Sequence, residues 1–133
     1  MTSLELENRL IDFAVGCIKL TKSAIKSFAS EHMNSQLIRS STSSALNYSE
    51  SIGASSYRDY INKMQICLKE LRESKTNLVI QNKSGFLLQK RMNLSRYFQK
   101  VFLLPRKTII NCKRSNIEIG FDTFEITNLK YKI

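Results

Sequence analysis

The stretch from Gln36 to Ile80, QLIRSSTSSALNYSESIGASSYRDYINKMQICLKELRESKTNLVI, decides how this 133-residue chain folds. Its second half carries a helical stripe. Tyr57, Ile61, Met64, Leu68 and Leu71 recur every three or four residues, Leu78 continues the line, and Tyr60 and Cys67 lie beside it. Arg72 and Glu73 fall on the opposite, water-facing side. The first half is harder to read. Ser40 to Ala45 is an unbroken run of small residues, which by composition alone suits a flexible linker. Leu37, Ile38, Ala45, Leu46 and Tyr48 flank it at helical spacing, and the apolar positions do not alternate as in a strand. A helix from about Asn34 to Ser51 is therefore expected. Its serines can bond back to the carbonyl one turn earlier, and its small face lets a neighbour approach closely. Gly53 is expected to turn left-handed past the helix end. Ser55 or Ser56 is expected to cap the next helix, with Asp59 in its first turn.

Outward toward the N-terminus, Leu6, Leu10, Phe13, Cys17, Leu20, Ala24 and Phe28 form one more stripe. Ser3 is the expected cap, with Glu5 and Glu7 favourable to the helix dipole. His32 falls in the connection that follows. Outward toward the C-terminus, Leu87, Leu94, Phe98, Val101 and Phe102 give a fourth stripe, broken only by Arg91. Pro105 should end or kink it, because it lacks an N–H and clashes with the preceding turn. A turn or two from Lys107 to Lys113 is expected to follow. From Ile117 onward the period changes to two: Ile117, Ile119 and Phe121, then Phe124 and Ile126, then Tyr131 and Ile133. Two such strands alone are marginal in water. Four amphipathic helices with short connections make an antiparallel bundle the default for residues 1–114, with a hairpin or disordered extension over 115–133.

Composition bounds the class. A chain of this length forms one domain with a real core. With 42% hydrophobic and 24% charged residues it is an ordinary globular protein, not a disordered one. No apolar run approaches the roughly 20 residues of a membrane span. The acidic start, with Glu5, Glu7 and Asp12, is unlike a secretory leader. Three scattered cysteines, Cys17, Cys67 and Cys112, suit a reducing cytoplasm better than a disulfide framework.

The net charge of +10 is unevenly placed. Between Ser74 and Ile117 there is no acidic residue, while ten are basic: Lys75, Lys83, Lys90, Arg91, Arg96, Lys100, Arg106, Lys107, Lys113 and Arg114. The remainder holds eleven residues of each sign. Solvated faces ordinarily mix signs, so the segment reads as a surface for a nucleic-acid backbone. All of these cations except Lys75 are the candidate contact residues, acting on phosphates and not on bases. Tyr97, Phe98 or Phe102 would add stacking if exposed, although the spacing of the phenylalanines suits a core better. The blander reading is a solvated face, or one that pairs with acidic residues of the same or a neighbouring subunit.

Signs of catalysis are sparse. Asn47 and Glu50 share a helix face, and Glu70 sits between Leu68 and Leu71. Paired carboxylates could do acid–base work, but a di-metal bundle wants Glu-x-x-His pairs, and the single histidine has no partner. The three are read as interhelical polar contacts that fix register. There is no Gly-x-Ser-x-Gly elbow, no glycine-rich phosphate loop and no cysteine pair at metal-ligand spacing. No catalytic residue, metal or cofactor is expected.

The same central stretch resembles the four-helix bundle family known as 23S rRNA-intervening sequence proteins. The resemblance rests on Gln36-Leu37 with Arg39, the small residues Ser40 to Ala45, Asn47-Tyr48-Ser49-Glu50, Asp59-Tyr60, and Lys69-Glu70-Leu71-Arg72-Glu73. It implies a left-handed up-down-up-down bundle, often assembled as a ring-like homopentamer, with no established enzymatic activity. It also implies a nucleic-acid role, from the family's setting in ribosomal RNA genes and from a similar basic accessory protein of diversity-generating retroelements. Beyond Leu78 the chain departs from the family pattern, in its lack of acidic residues, in Pro105 and in the strand-like tail. The expectation is a cytoplasmic, oligomeric, non-enzymatic binder of RNA or DNA. The rival is an adaptor bundle that assembles proteins without nucleic acid.

Overall fold

The computed structural model describes residues 2–87, which form three helices: α1 (Ser3–Thr21), α2 (Phe28–Ile52) and α3 (Tyr57–Lys83). Among the described residues there is no strand. The expected fourth stripe beyond Leu87, Pro105 and the period-two tail lie outside them. Helix α2 packs against both α1 and α3. The start of α1 meets the end of α2, where the Tyr48 hydroxyl lies 3.3 Å from the Ser3 carbonyl and donates to it. The end of α2 meets the start of α3 through Glu50 and Lys63. The start of α2 meets the end of α3, where the Asn77 amide donates to the Met33 carbonyl at 3.0 Å.

Helix α1 begins one residue earlier than the acidic turn suggested. Thr2 is the cap, not Ser3. Its hydroxyl accepts from the Glu5 N–H, and the Glu5 carboxylate accepts from the Thr2 N–H, a reciprocal capping box. The Thr2 backbone N–H holds the Glu5 carboxyl below its ordinary value. The helix ends at Thr21, so Ala24 and Phe28 do not belong to it. The Thr21 and Ser23 hydroxyls donate to the Ile18 and Leu20 carbonyls, satisfying orphan acceptors of the last turn without a glycine. Phe28 instead opens α2 and is 90% exposed, behind a Ser27 cap. His32 is consequently helical, not in a connection, and the Gln36 amide donates to its Nε2.

The Ser-rich run is helix, within an α2 that starts six residues before the expected Asn34. Ser40, Ser41, Ser44 and Ser51 are buried, and Ser41, Ser44 and Ser51 each donate back to a carbonyl of their own helix. Ser40 also meets Ser74 of α3, with 2.7 Å between the hydroxyl oxygens. Ser74 spends its single proton on the Glu70 carbonyl, so Ser40 is the donor to Ser74. Small side chains at this contact leave room for the two backbones to come close.

The apolar core runs through Leu6, Leu10, Phe13, Cys17 and Leu20 of α1, Leu37 and Tyr48 of α2, and Cys67, Leu71 and Leu78 of α3, ending at Leu87. Burial pushes the Cys17 and Cys67 thiols up to about 12. At the far end of α3, Asn77 and Gln81 are buried as well, and the Gln81 amide donates to Asn77 Oδ1.

The two connections differ from expectation in one detail. Gly53 has φ −92°, an ordinary right-handed value. The left-handed residue is Gly85, with φ +70°, just past α3. There Phe86 N–H donates to the Gln81 carbonyl and Gly85 N–H to the Asn82 carbonyl, the paired bonds of a Schellman cap. The Phe86 carbonyl then accepts from the Ile25 N–H at 3.0 Å, tying the end of α3 to the α1–α2 connection. Of Ser55 and Ser56, the two expected caps, Ser56 caps α3 by accepting from the Asp59 N–H.

Candidate functional site

The candidate phosphate contacts divide at Leu87. Lys83 lies in the last turn of α3 and is exposed. Lys90, Arg91, Arg96, Lys100, Arg106, Lys107, Lys113 and Arg114 lie outside the described residues. Lys75, which opens the acid-free segment, is partly buried, and desolvation lowers its ammonium below the ordinary lysine value.

Asn47, Glu50 and Glu70 do not converge. The Asn47 amide donates to the Ser43 carbonyl and hydroxyl within α2. Glu50 pairs with Lys63 of α3 and raises the lysine's pKa, its hydrogen bond contributing most. Lys63 precedes Glu70 by seven residues, about two helical turns. The Glu70 backbone carbonyl, not its carboxylate, is the group engaged by Ser74. No three His, Cys, Asp or Glu residues are grouped to hold a metal among the described residues.

A further feature was not singled out from the sequence. Between α2 and α3 runs an open groove of about 500 Å³. Met33, Gln36, Arg39 and Ser40 line it from α2, at helical spacings of three, three and one. Lys69, Arg72, Glu73, Thr76, Asn77 and Ile80 line it from α3, again along one face. Ser40 and Asn77 are buried at its floor, and Gln36, Arg39, Lys69, Arg72 and Thr76 are exposed. Lys69 and Glu73 form a loose, exposed pair at 3.9 Å. Three cations against one carboxylate leave the groove positive. A smaller cleft of about 250 Å³ at the other end of α2, lined by Thr2, Ser3, Leu6, Tyr48, Ser51, Ile52 and Tyr60, has no charged side chain.

The groove has a sequence signal in hindsight. The Gln36-Leu37-x-Arg39 opening and the Lys69 to Glu73 run, thirty residues apart, face each other across it. Both belong to the stretch that carries the family resemblance, and the model of the 23S rRNA-intervening sequence proteins matches residues 2–100. The chain belongs to this family. Its fold is similar to the crystal structure of a protein of unknown function from the S23 ribosomal protein family of Bacteroides thetaiotaomicron VPI-5482. The two are 27% identical with a TM-score of 0.57, over 84% of this chain and 93% of that one. No curated protein matches the chain. Among the described residues of this 23S rRNA-intervening sequence protein, no helix is long and apolar enough to cross a membrane.

Proposed function

We propose that this protein is a non-enzymatic, antiparallel, left-handed four-helix bundle that binds the backbone of RNA or DNA through its basic fourth helix. The observation that carries the reading is the acid-free segment from Ser74 to Ile117 with its ten cations. Each phosphate neutralised releases counterions, so a dense run of one sign favours a polyanion without any base-reading motif. The fourth helix takes its place in the reading because its stripe begins at Leu87, a buried member of the core, and because the family match extends to residue 100. Assembly as a cytoplasmic homo-oligomer, a pentamer by family resemblance, would multiply the charge by the number of subunits. The absence of any catalytic constellation in the sequence favours a binding role over an enzymatic one.

Binding of a labelled single-stranded RNA across a salt series tests this. Affinity is expected to fall steeply, with a log–log slope of about 0.7 per phosphate contacted. Changing Arg91, Arg96 and Lys100 to Glu is expected to abolish most binding. No binding at low salt, or binding indifferent to these changes, refutes the reading.

A further inference from the structure

We propose that the groove between α2 and α3 is a second nucleic-acid contact, in which Arg39, Lys69 and Arg72 hold backbone phosphates of a single strand. The inference rests on the nucleic-acid reading above and extends it to helices that the charge count alone left neutral. Cations stand on both walls, so a strand lying in the groove is held from two sides. Arg39 and Arg72 present planar, multi-donor guanidinium groups that match phosphate oxygens in pairs, and Lys69 adds a point charge. Gln36 and Thr76 supply neutral donors on the same walls.

The floor is chemically quiet. The Ser40 hydroxyl is committed to Ser74, and the Asn77 amide to the Met33 carbonyl and to Gln81. Recognition therefore falls to the charged rim, which suits backbone contact without base reading. The only carboxylate on the rim, Glu73, lies toward Lys69. Its α3 wall ends at Ile80, three residues before the exposed Lys83, so a strand leaving this end meets a further cation on α3.

The test uses the full chain and a fluorescent single-stranded oligoribonucleotide, with the log–log salt slope as readout. The Arg39→Gln/Arg72→Gln variant is expected to lower the slope by about 0.7 per cation removed. Lys69→Gln is expected to lower it by about half as much as the double variant, and serves as an independent arm if the double variant melts early. An unchanged slope in both, alongside a reduced slope for Arg91→Gln/Arg96→Gln, overturns the groove and leaves the fourth-helix contact standing. No binding by the unaltered chain overturns both. Loss of binding to a polyglutamate peptide, with RNA binding intact, overturns the proposal in favour of an acidic protein partner.

Discussion

Helices α1 and α2 bury themselves by opposite means. The six buried residues of α1 are Leu6, Leu10, Phe13, Ala14, Cys17 and Leu20, all apolar. Of the seven buried in α2, five are serines: Ser30, Ser40, Ser41, Ser44 and Ser51. The first helix is held by the area it removes from water, at roughly 25 cal/mol per Å². The second gains little from area. It is tolerated in the interior because Ser41, Ser44 and Ser51 each donate to a carbonyl in their own helix and Ser40 donates to Ser74, so close approach leaves these four donors paired. A stripe of large side chains fails when it is emptied, whereas a stripe of small ones fails when it is filled.

That contrast can be broken from either side. The largest effect is expected from Phe13→Ala, which empties a fully buried site and should cost about 3–5 kcal/mol, read by chemical denaturation. Next comes Ser44→Leu on the small stripe. Three extra carbons at a site with no exposure should cost about 1–3 kcal/mol through displaced backbone, although a hydrophobic residue has replaced a polar one. If Ser44→Leu stabilises the protein, the close-packing account of α2 is wrong. The smallest effect is expected from Ser40→Ala, at about 1 kcal/mol, since Ser74 keeps its bond to Glu70. The Ser40→Ala/Ser74→Ala double change should cost less than the sum of the two singles, because the pair is lost together.

The sequence made α1 and α3 legible because their burial is apolar and periodic. It made α2 legible only at its flanks, where Leu37 and Tyr48 supply the period that the serines lack. The end of α1 was hidden for a physical reason. The stripe continues in register through Ala24 to Phe28, and the stop signal is a pair of hydroxyls bonding back to carbonyls, not a glycine or proline. The sequence favours a left-handed turn at Gly53, beside a clear helix boundary, whereas the bond pattern that requires it forms at Gly85. The groove was invisible for a different reason. Arg39 and Lys69 belong to a part of the chain whose charges sum to zero, and only folding places them on facing walls with Glu73 as the one acidic lining residue.

The two buried thiols make the protein its own stopwatch. Cys17 and Cys67 sit in the core on α1 and α3, with their protons held tightly. A thiol reagent needs the thiolate and physical access, and the closed helices deny both. In a Cys112→Ser background, the labelling rate of each remaining cysteine therefore counts how often its helix comes away from the others. Similar rates for the two would mean that α1 and α3 open as one unit, whereas a faster Cys17 would mean that α1 peels away first.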